Sequence, residues 1–196
     1  IPAATNKPGE RYSSVSWTDG SGNLWLFGGD GYGSSGPGNL NDLWKYNTAT
    51  NGWTWVKGDN ITDKPGGDGT KGIPAAANKP GARYNSVSWT DGSGNLWLFG
   101  GTGYSTSGQG NLNDLWKYNT ATNEWTWVKG DNITNQPGVY GTQGIPAAAN
   151  KPGAVSNRDL RTQATRDLWL FGGTGYSTSG QGNLNDRWKY KTTTNE

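Results

Sequence analysis

The 196-residue chain reads as an all-β protein in which one antiparallel sheet is repeated three times, and three observations predict this. The apolar run "NLWLFGG" at 23–29 returns at 95–101 and again as "DLWLFGG" at 167–173, so Trp25, Trp97 and Trp169 recur every 72 residues. Within each unit, short aromatic or β-branched runs are separated by turn residues, which is a strand pattern. Helical periodicity is missing, and the 33 glycines are too many for helices.

The elements follow in order. "RYSSVSW" (11–17) alternates and ends in "TDGSGN", whose Asp-Gly signals a tight turn to a second strand. In that second strand, "NLWLFGG", Leu24 and Leu26 point to one side and Trp25 and Phe27 to the other. Both sides are apolar, as a sheet sandwiched between neighbours requires. Gly28 and Gly29 are expected at the strand's end, where a missing Cβ lets another backbone or ring come close. A long loop is expected from there to Asn41, then a third strand "DLWKYN" (42–47), the turn "TATNG", and a fourth strand "WTWVK" (53–57). Trp17, Trp25, Trp44, Trp53 and Trp55 lie inside these runs, so core packing is expected of them rather than a sugar-binding ladder. Four short antiparallel strands per unit describe a propeller blade.

The units are 1–72, 73–144 and an incomplete 145–196; the first two differ at only thirteen positions. In the third, "RYNSVSWTDGSGN" (83–95) is replaced by "VSNRDLRTQATRD" (155–167), and identity resumes at Leu168. That block removes the alternating apolar residues of the first strand and brings in Arg158, Arg161 and Arg166, while Leu115 becomes Arg187. The third blade is therefore expected to be the least ordered. Three blades do not close a ring, since propellers need four to eight. The expectation is a larger ring, or one completed by further copies, with the chain an excerpt or a processed form because it has neither an initiating Met nor a signal peptide.

A Gly-Gly pair after an apolar strand (Gly28, Gly29), then Tyr46, then Trp53 seven positions on, resembles the kelch repeat. The second unit matches at Gly100, Gly101, Tyr118 and Trp125, and the third at Gly172, Gly173 and Tyr190. The long connector "YGTxG…NKPGAR" resembles a bacterial variety of that family. The resemblance implies a kelch-type β-propeller of three four-stranded blades, one of them incomplete. It implies no single activity.

Composition excludes several functions. Cys and His are both absent, which removes thiolate chemistry, disulfides and the commonest general base and metal ligand. The copper oxidases of the kelch-like group need both residue types. Near-identical units place acids at symmetric positions, whereas glycoside hydrolysis needs a carboxylate pair with unlike roles. No enzyme, metal or cofactor is expected. A net charge of +2 without a basic stripe argues against nucleic acid, and no apolar run is long enough for a membrane span.

The second-to-third-strand loops and the inter-blade connectors should crowd one end of the propeller, and eleven of the thirteen differences between the first two units fall in them. There Asp30, Tyr32, Ser35, Thr102, Tyr104, Ser107, Tyr140 and Tyr176 are the candidate binding residues, with Ser179 in the third unit, for a protein or glycan ligand. The competing reading is that these tyrosines pack the loops onto the blade. Asp19, Ser21 and Asn23 resemble part of a calcium loop but fit a hairpin turn better. Asp42, Asp114 and Asp186 are expected to accept backbone hydrogen bonds where a strand begins, and Asn60 and Asn132 head glycosylation sequons. The functional expectation is a non-catalytic binding module, secreted or at the cell surface, with a self-assembling scaffold as the alternative.

Overall fold

A computed structural model describes residues 6–157, 159–162, 167–192 and 194, and among them there are only strands, turns and irregular chain. No helix in it is long and apolar enough to cross a membrane. In repeat 1 the strands are β1 (Arg11–Tyr12), β2 (Val15–Thr18), β3 (Leu24–Gly33), β4 (Gly36–Asn47) and β5 (Gly52–Lys57). Repeat 2 reproduces them as β6 (Arg83–Tyr84), β7 (Val87–Thr90), β8 (Leu96–Ser105), β9 (Gly108–Asn119) and β10 (Glu124–Lys129). Repeat 3 contains β11 (Val155–Ser156), β12 (Asp159–Thr162), β13 (Leu168–Phe171), β14 (Thr174–Ser177), β15 (Gly180–Asn183) and β16 (Arg187–Tyr190).

Every pairing between these strands is antiparallel. The expected first strand is broken in two at Ser13, whose φ is 52°; β1 and β2 both pair with β3, at Arg11↔Gly31 and Val15↔Phe27. The expected second strand does not stop at its glycines. Gly28 (φ 63°) and Gly29 (φ 99°) form a bulge between Phe27 and Gly29, after which the ladder with β4 resumes and runs to Gly33↔Gly36. The stretch expected to be a long loop is therefore a hairpin closed at Ser34 and Ser35. Its Gly- and Ser-rich sequence hid a strand that needs little side chain. The glycines do admit another backbone: a Cβ on Gly28 would stand 2.7 Å from the Arg83 carbonyl oxygen, and one on Gly29 would stand 2.8 Å from that of Tyr12. Gly100 and Gly101 repeat these angles at 60° and 98°, as do Gly172 and Gly173. In repeat 3 the two halves are separate sheets, β11-β14-β15 and β12-β13-β16. Arg158, Arg166 and the Arg161 side chain lie outside the described residues.

Successive sheets pack face to face. Val15, Trp17, Trp25, Phe27 and Leu43 on the trailing face of sheet 1 bury themselves against Leu96, Leu98, Trp116, Tyr118, Trp125 and Trp127 on the leading face of sheet 2. Trp25 meets Tyr118 at 5.6 Å, Phe27 meets Trp125 edge-on at 5.7 Å, and Trp17 Nε1 donates across the interface to the Trp97 carbonyl at 3.0 Å. The trailing face of sheet 2, with Trp89, Trp97, Phe99 and Leu115, does the same against Leu168, Leu170 and Tyr190. Signature residues thus play both roles: within a sheet, Tyr46 packs on Trp53 at 5.1 Å and Tyr118 on Trp125 at 5.0 Å.

Among the described residues, no sheet packs on the leading face of sheet 1. Trp55 is 44% exposed there and Leu24 likewise 44%, while their counterparts Trp127 and Leu96 are buried. Placing all five tryptophans of the unit in a core is corrected accordingly: Trp17 and Trp25 are buried, Trp44 and Trp53 half-buried, and Trp55 exposed. A strand's pattern states that a face is apolar, not that a neighbour stands against it.

Candidate functional site

Both ends of the sheets are built by local rules. At one end, Asp19 Oδ1 accepts from the Ser21 and Asn23 amides at 2.9 Å each, and Oδ2 accepts from Asn23 Nδ2 and Trp25 Nε1 at 3.0 and 2.9 Å. These donors make a hairpin turn, repeated at Asp91, with the carboxylate spent inside it. Burial pushes the Asp19 and Asp91 carboxyls up, but the donated hydrogen bonds outweigh it and hold both below the ordinary carboxylate value.

At the other end stand the β3–β4 and β8–β9 hairpin tips and the connectors 58–82 and 130–154. Each tip is pinned to the connector that follows it. Ser34 N donates to the Asn60 carbonyl at 2.7 Å, Ser35 Oγ and Thr62 Oγ1 lie 3.0 Å apart, and the Thr62 amide donates to Ser35 Oγ. Ser107 and Thr134 repeat this, with the Thr134 amide donating to Ser107 Oγ at 2.9 Å. Both sequon threonines are therefore latches for the hairpins.

Beneath the tips lies an ion pair that sequence reasoning missed. Arg11 grips Asp42 with two guanidinium nitrogens at 2.6 and 2.8 Å, and Arg83 grips Asp114 with two at 2.6 Å. Trp44 and Trp116 indoles donate to the same carboxylates at 2.6 and 2.7 Å. The expectation that Asp42 and Asp114 cap backbone amides is corrected: their partners are side chains, a guanidinium from β1 or β6 and an indole from the same strand, because the carboxylate is buried and the guanidinium neutralises it. In repeat 3 Val155 takes the arginine's position; Trp188 Nε1 donates to Asp186 Oδ2 at 2.7 Å and Tyr140 Oη at 3.1 Å. Asn41 and Asn113 were missed as well. Asn41 ties Asp59 to the Pro80 carbonyl, and Lys79 Nζ reaches Asp59 at 2.7 Å. The invariance of "RY" and "NLND" between the first two repeats is the sequence signal for both sets.

The candidate binding residues fall on this hairpin face without converging into one pocket. Asp30 and Tyr32 lie on β3 and Thr102 and Tyr104 on β8, not in loops. Tyr32 is exposed, at 58%. Tyr104 and Tyr176 are half-buried, and burial together with the Asp63 carboxylate beside it raises the Tyr104 phenol. Thr102 Oγ1 donates to Asn111 Oδ1 at 3.0 Å, and Ser177 bonds Ser179 at 2.8 Å. Tyr140 packs on Trp188 at 5.2 Å. The tyrosine backbones are seated on the segment that leads into each repeat's first strand, with Tyr32, Tyr104 and Tyr176 amides donating to the Glu10, Ala82 and Ala154 carbonyls. Among the described residues, no group of three or more acids could hold a metal ion.

Comparison with known proteins adds the architecture. No family model matches the chain. No curated protein matches it either. Among solved structures it is similar to that of YjhT, with a TM-score of 0.52 and 14% sequence identity over 92% of this chain and 52% of that one. At that identity the likeness concerns the fold alone, and the chain spans about half of YjhT's length.

Proposed function

We propose that the three sheets are blades of a kelch-type β-propeller and that the protein acts as a non-catalytic binding module, secreted or at the cell surface, taking a protein or glycan ligand on its hairpin face. The observation that carries this reading is the exposed Tyr32 ring on a hairpin whose tip is latched by Ser35 and Thr62. A rigid hairpin presenting an aromatic ring loses little entropy on binding, and Tyr suits sugar stacking and polar contact alike. The repeat-to-repeat differences concentrate on the same end, which supports ligand choice there. The acids that repeats 1 and 2 share, Asp19 and Asp91, Asp42 and Asp114, Asp59 and Asp131, are all engaged by donors within the fold, which supports a role without acid–base chemistry.

A glycan array followed by titration tests it. Saturable binding that weakens at least tenfold in Tyr32→Ala combined with Tyr104→Ala is the expected result. Binding untouched by both substitutions would remove the hairpin face from consideration. A second reading, self-assembly into a completed ring, has its own support in the exposed Leu24 and Trp55 on the leading face of sheet 1.

A further inference from the structure

Repeats 1 and 2 share a fold but not a charge on the hairpin face. β1 and β4 flank β3, and residues directly opposite in an antiparallel pair lie on one side of the sheet. Tyr12 stands opposite Asp30, and Asp30 opposite Asn39. One step along, Tyr32 continues the ladder opposite Glu10, donating its amide to the Glu10 carbonyl at 2.9 Å. Glu10, Tyr12, Asp30, Tyr32 and Asn39 are therefore neighbours on one side of three strands. Arg11, between Glu10 and Tyr12, is turned to the other side and held by Asp42.

In repeat 2 the same positions are Ala82, Tyr84, Thr102, Tyr104 and Asn111. Thr102 Oγ1 donates to Asn111 Oδ1 at 3.0 Å, and Asn111 Nδ2 donates to the Thr174 carbonyl of repeat 3 at 3.4 Å. That amide is satisfied, and its side of the hairpin looks to the repeat that follows. For repeat 1 the following repeat is present in full, yet the patch stays open: Tyr12 is 64% exposed, and Glu10 is exposed beside Tyr32. An aspartate carboxylate at 30 has no proton to give where Thr102 has one. Asn39 Nδ2, on a residue only 3% exposed, is left without a partner. Among the described residues, no hydrogen bond or ion pair engages the Glu10 or Asp30 carboxylate. Asp63, where repeat 2 has Asn135, adds a third carboxylate at the outer edge of β4 and accepts from the Asn39 amide at 2.8 Å.

Two unengaged carboxylates beside two open phenol rings call for a cation, and the buried amide between the strands calls for an acceptor. A guanidinium supplies donors in a planar fork that matches carboxylates, and its flat face stacks on a tyrosine ring. It carries no acceptor, so the oxygen that Asn39 Nδ2 lacks has to come from the chain bearing it. We infer that this patch of repeat 1 takes an arginine of another polypeptide, its guanidinium held by Glu10 and Asp30 against the Tyr32 ring, with a backbone carbonyl of the same segment on Asn39 Nδ2. The inference rests on the reading of the hairpin face as a binding surface and narrows its ligand to a basic protein segment. Repeat 2, with Ala82 and Thr102 in place of the two acids, lacks the charge for it.

The test uses the intact 196-residue protein and a labelled Gly-Ser-Arg-Ser-Gly peptide, read by fluorescence anisotropy at low ionic strength, where exposed charges are least screened. One-to-one saturable binding is expected, at least tenfold weaker when citrulline, neutral and of the same shape, replaces the arginine. Glu10→Ala combined with Asp30→Thr, the residues with which repeat 2 folds, should weaken binding at least fivefold. Tyr32→Leu, which leaves the charge unaltered, should weaken it at least threefold. No saturable binding, equal binding of the citrulline peptide, or an affinity untouched by these substitutions overturns the inference. N-acetylarginine amide binding as tightly as the peptide also overturns it, since a small guanidinium compound would then be the occupant. Glycan binding that depends on Tyr32 and Tyr104, with no binding of the arginine peptide, would overturn this inference and leave the hairpin-face reading standing. Binding of neither would remove both.

Discussion

Gly28 and Arg83 show how single residues set the packing distance between sheets. A Cβ on Gly28 would meet the Arg83 and Leu40 carbonyl oxygens at 2.7 and 3.0 Å, and φ there is 63°, so an alanine has neither the room nor the conformation. Gly28→Ala should cost about 2 kcal/mol or more in urea unfolding, while Gly20→Ala, with nothing within 4 Å, should stay within about 0.5 kcal/mol. The buried Arg83–Asp114 pair behaves differently, because removing one partner strands the other's charge. Arg83→Ala is expected to lower stability by about 3–5 kcal/mol in the same measurement. Titration adds a further residue-scale signature. Asp19 and Asp91 have folded values below their unfolded ones, so their stabilisation is complete above the unfolded value of about 4 and is lost as pH falls through the folded values. Asp68 has the opposite sign: burial first, then the Asp114 charge, raises it, so its contribution is present at low pH and is lost as pH rises through its folded value. Urea midpoints should therefore drop below about pH 4, and an Asp19→Asn/Asp91→Asn protein should show a flatter acid limb. An unchanged slope would refute the hydrogen-bond assignment.

The individual strand is where sequence and structure part company most. β3 and β4 are 10 and 12 residues long because a glycine bulge lets the ladder turn and continue, whereas the same residues in sequence look like the end of a strand and a flexible loop. Asp30, Tyr32, Thr102 and Tyr104 consequently sit on strands. Their alternation was hidden because Gly31, Gly33 and Gly103 replace the apolar partners that normally reveal a strand. In repeat 3, β16 carries Arg187 over the Trp169 ring at 5.0 Å in place of a packed leucine, and Phe171 is exposed where Phe27 is buried. Amides of β13 and β16 should exchange with deuterium at least tenfold faster than those of β8 and β9, which are covered on both faces. Equal protection would mean that cover on the second face contributes nothing to local stability.

At the scale of the whole molecule, the interface between sheets is heterologous: a trailing face of Trp17, Trp25, Phe27 and Leu43 meets a leading face of Leu96, Leu98, Trp116 and Trp127. Such interfaces propagate until something covers the last one. The leading face of sheet 1 repeats the chemistry of the buried leading face of sheet 2, so concentration-dependent mass is expected in light scattering. Leu24→Lys combined with Trp55→Lys should abolish that dependence while lowering stability by less than a core substitution would, about 1–2 kcal/mol, since both side chains are 44% exposed. A mass that stays constant over concentration in the unsubstituted protein would sink the self-association reading.

By itself the sequence determined the repeat, its length, the strand order within it, the turns at Asp19 and Asp91 and the clustering of the second-to-third-strand segments and connectors at one end, because all of these follow from local periodicity and turn chemistry. Only the tertiary structure decided that Arg11 and Arg83 clamp the strand aspartates, that the glycine pair is a bulge, and which tryptophans are covered. Those outcomes depend on which surface meets which across 31 to 80 residues of chain, as in Arg11–Asp42 and Trp17–Trp97, and no local pattern encodes that meeting.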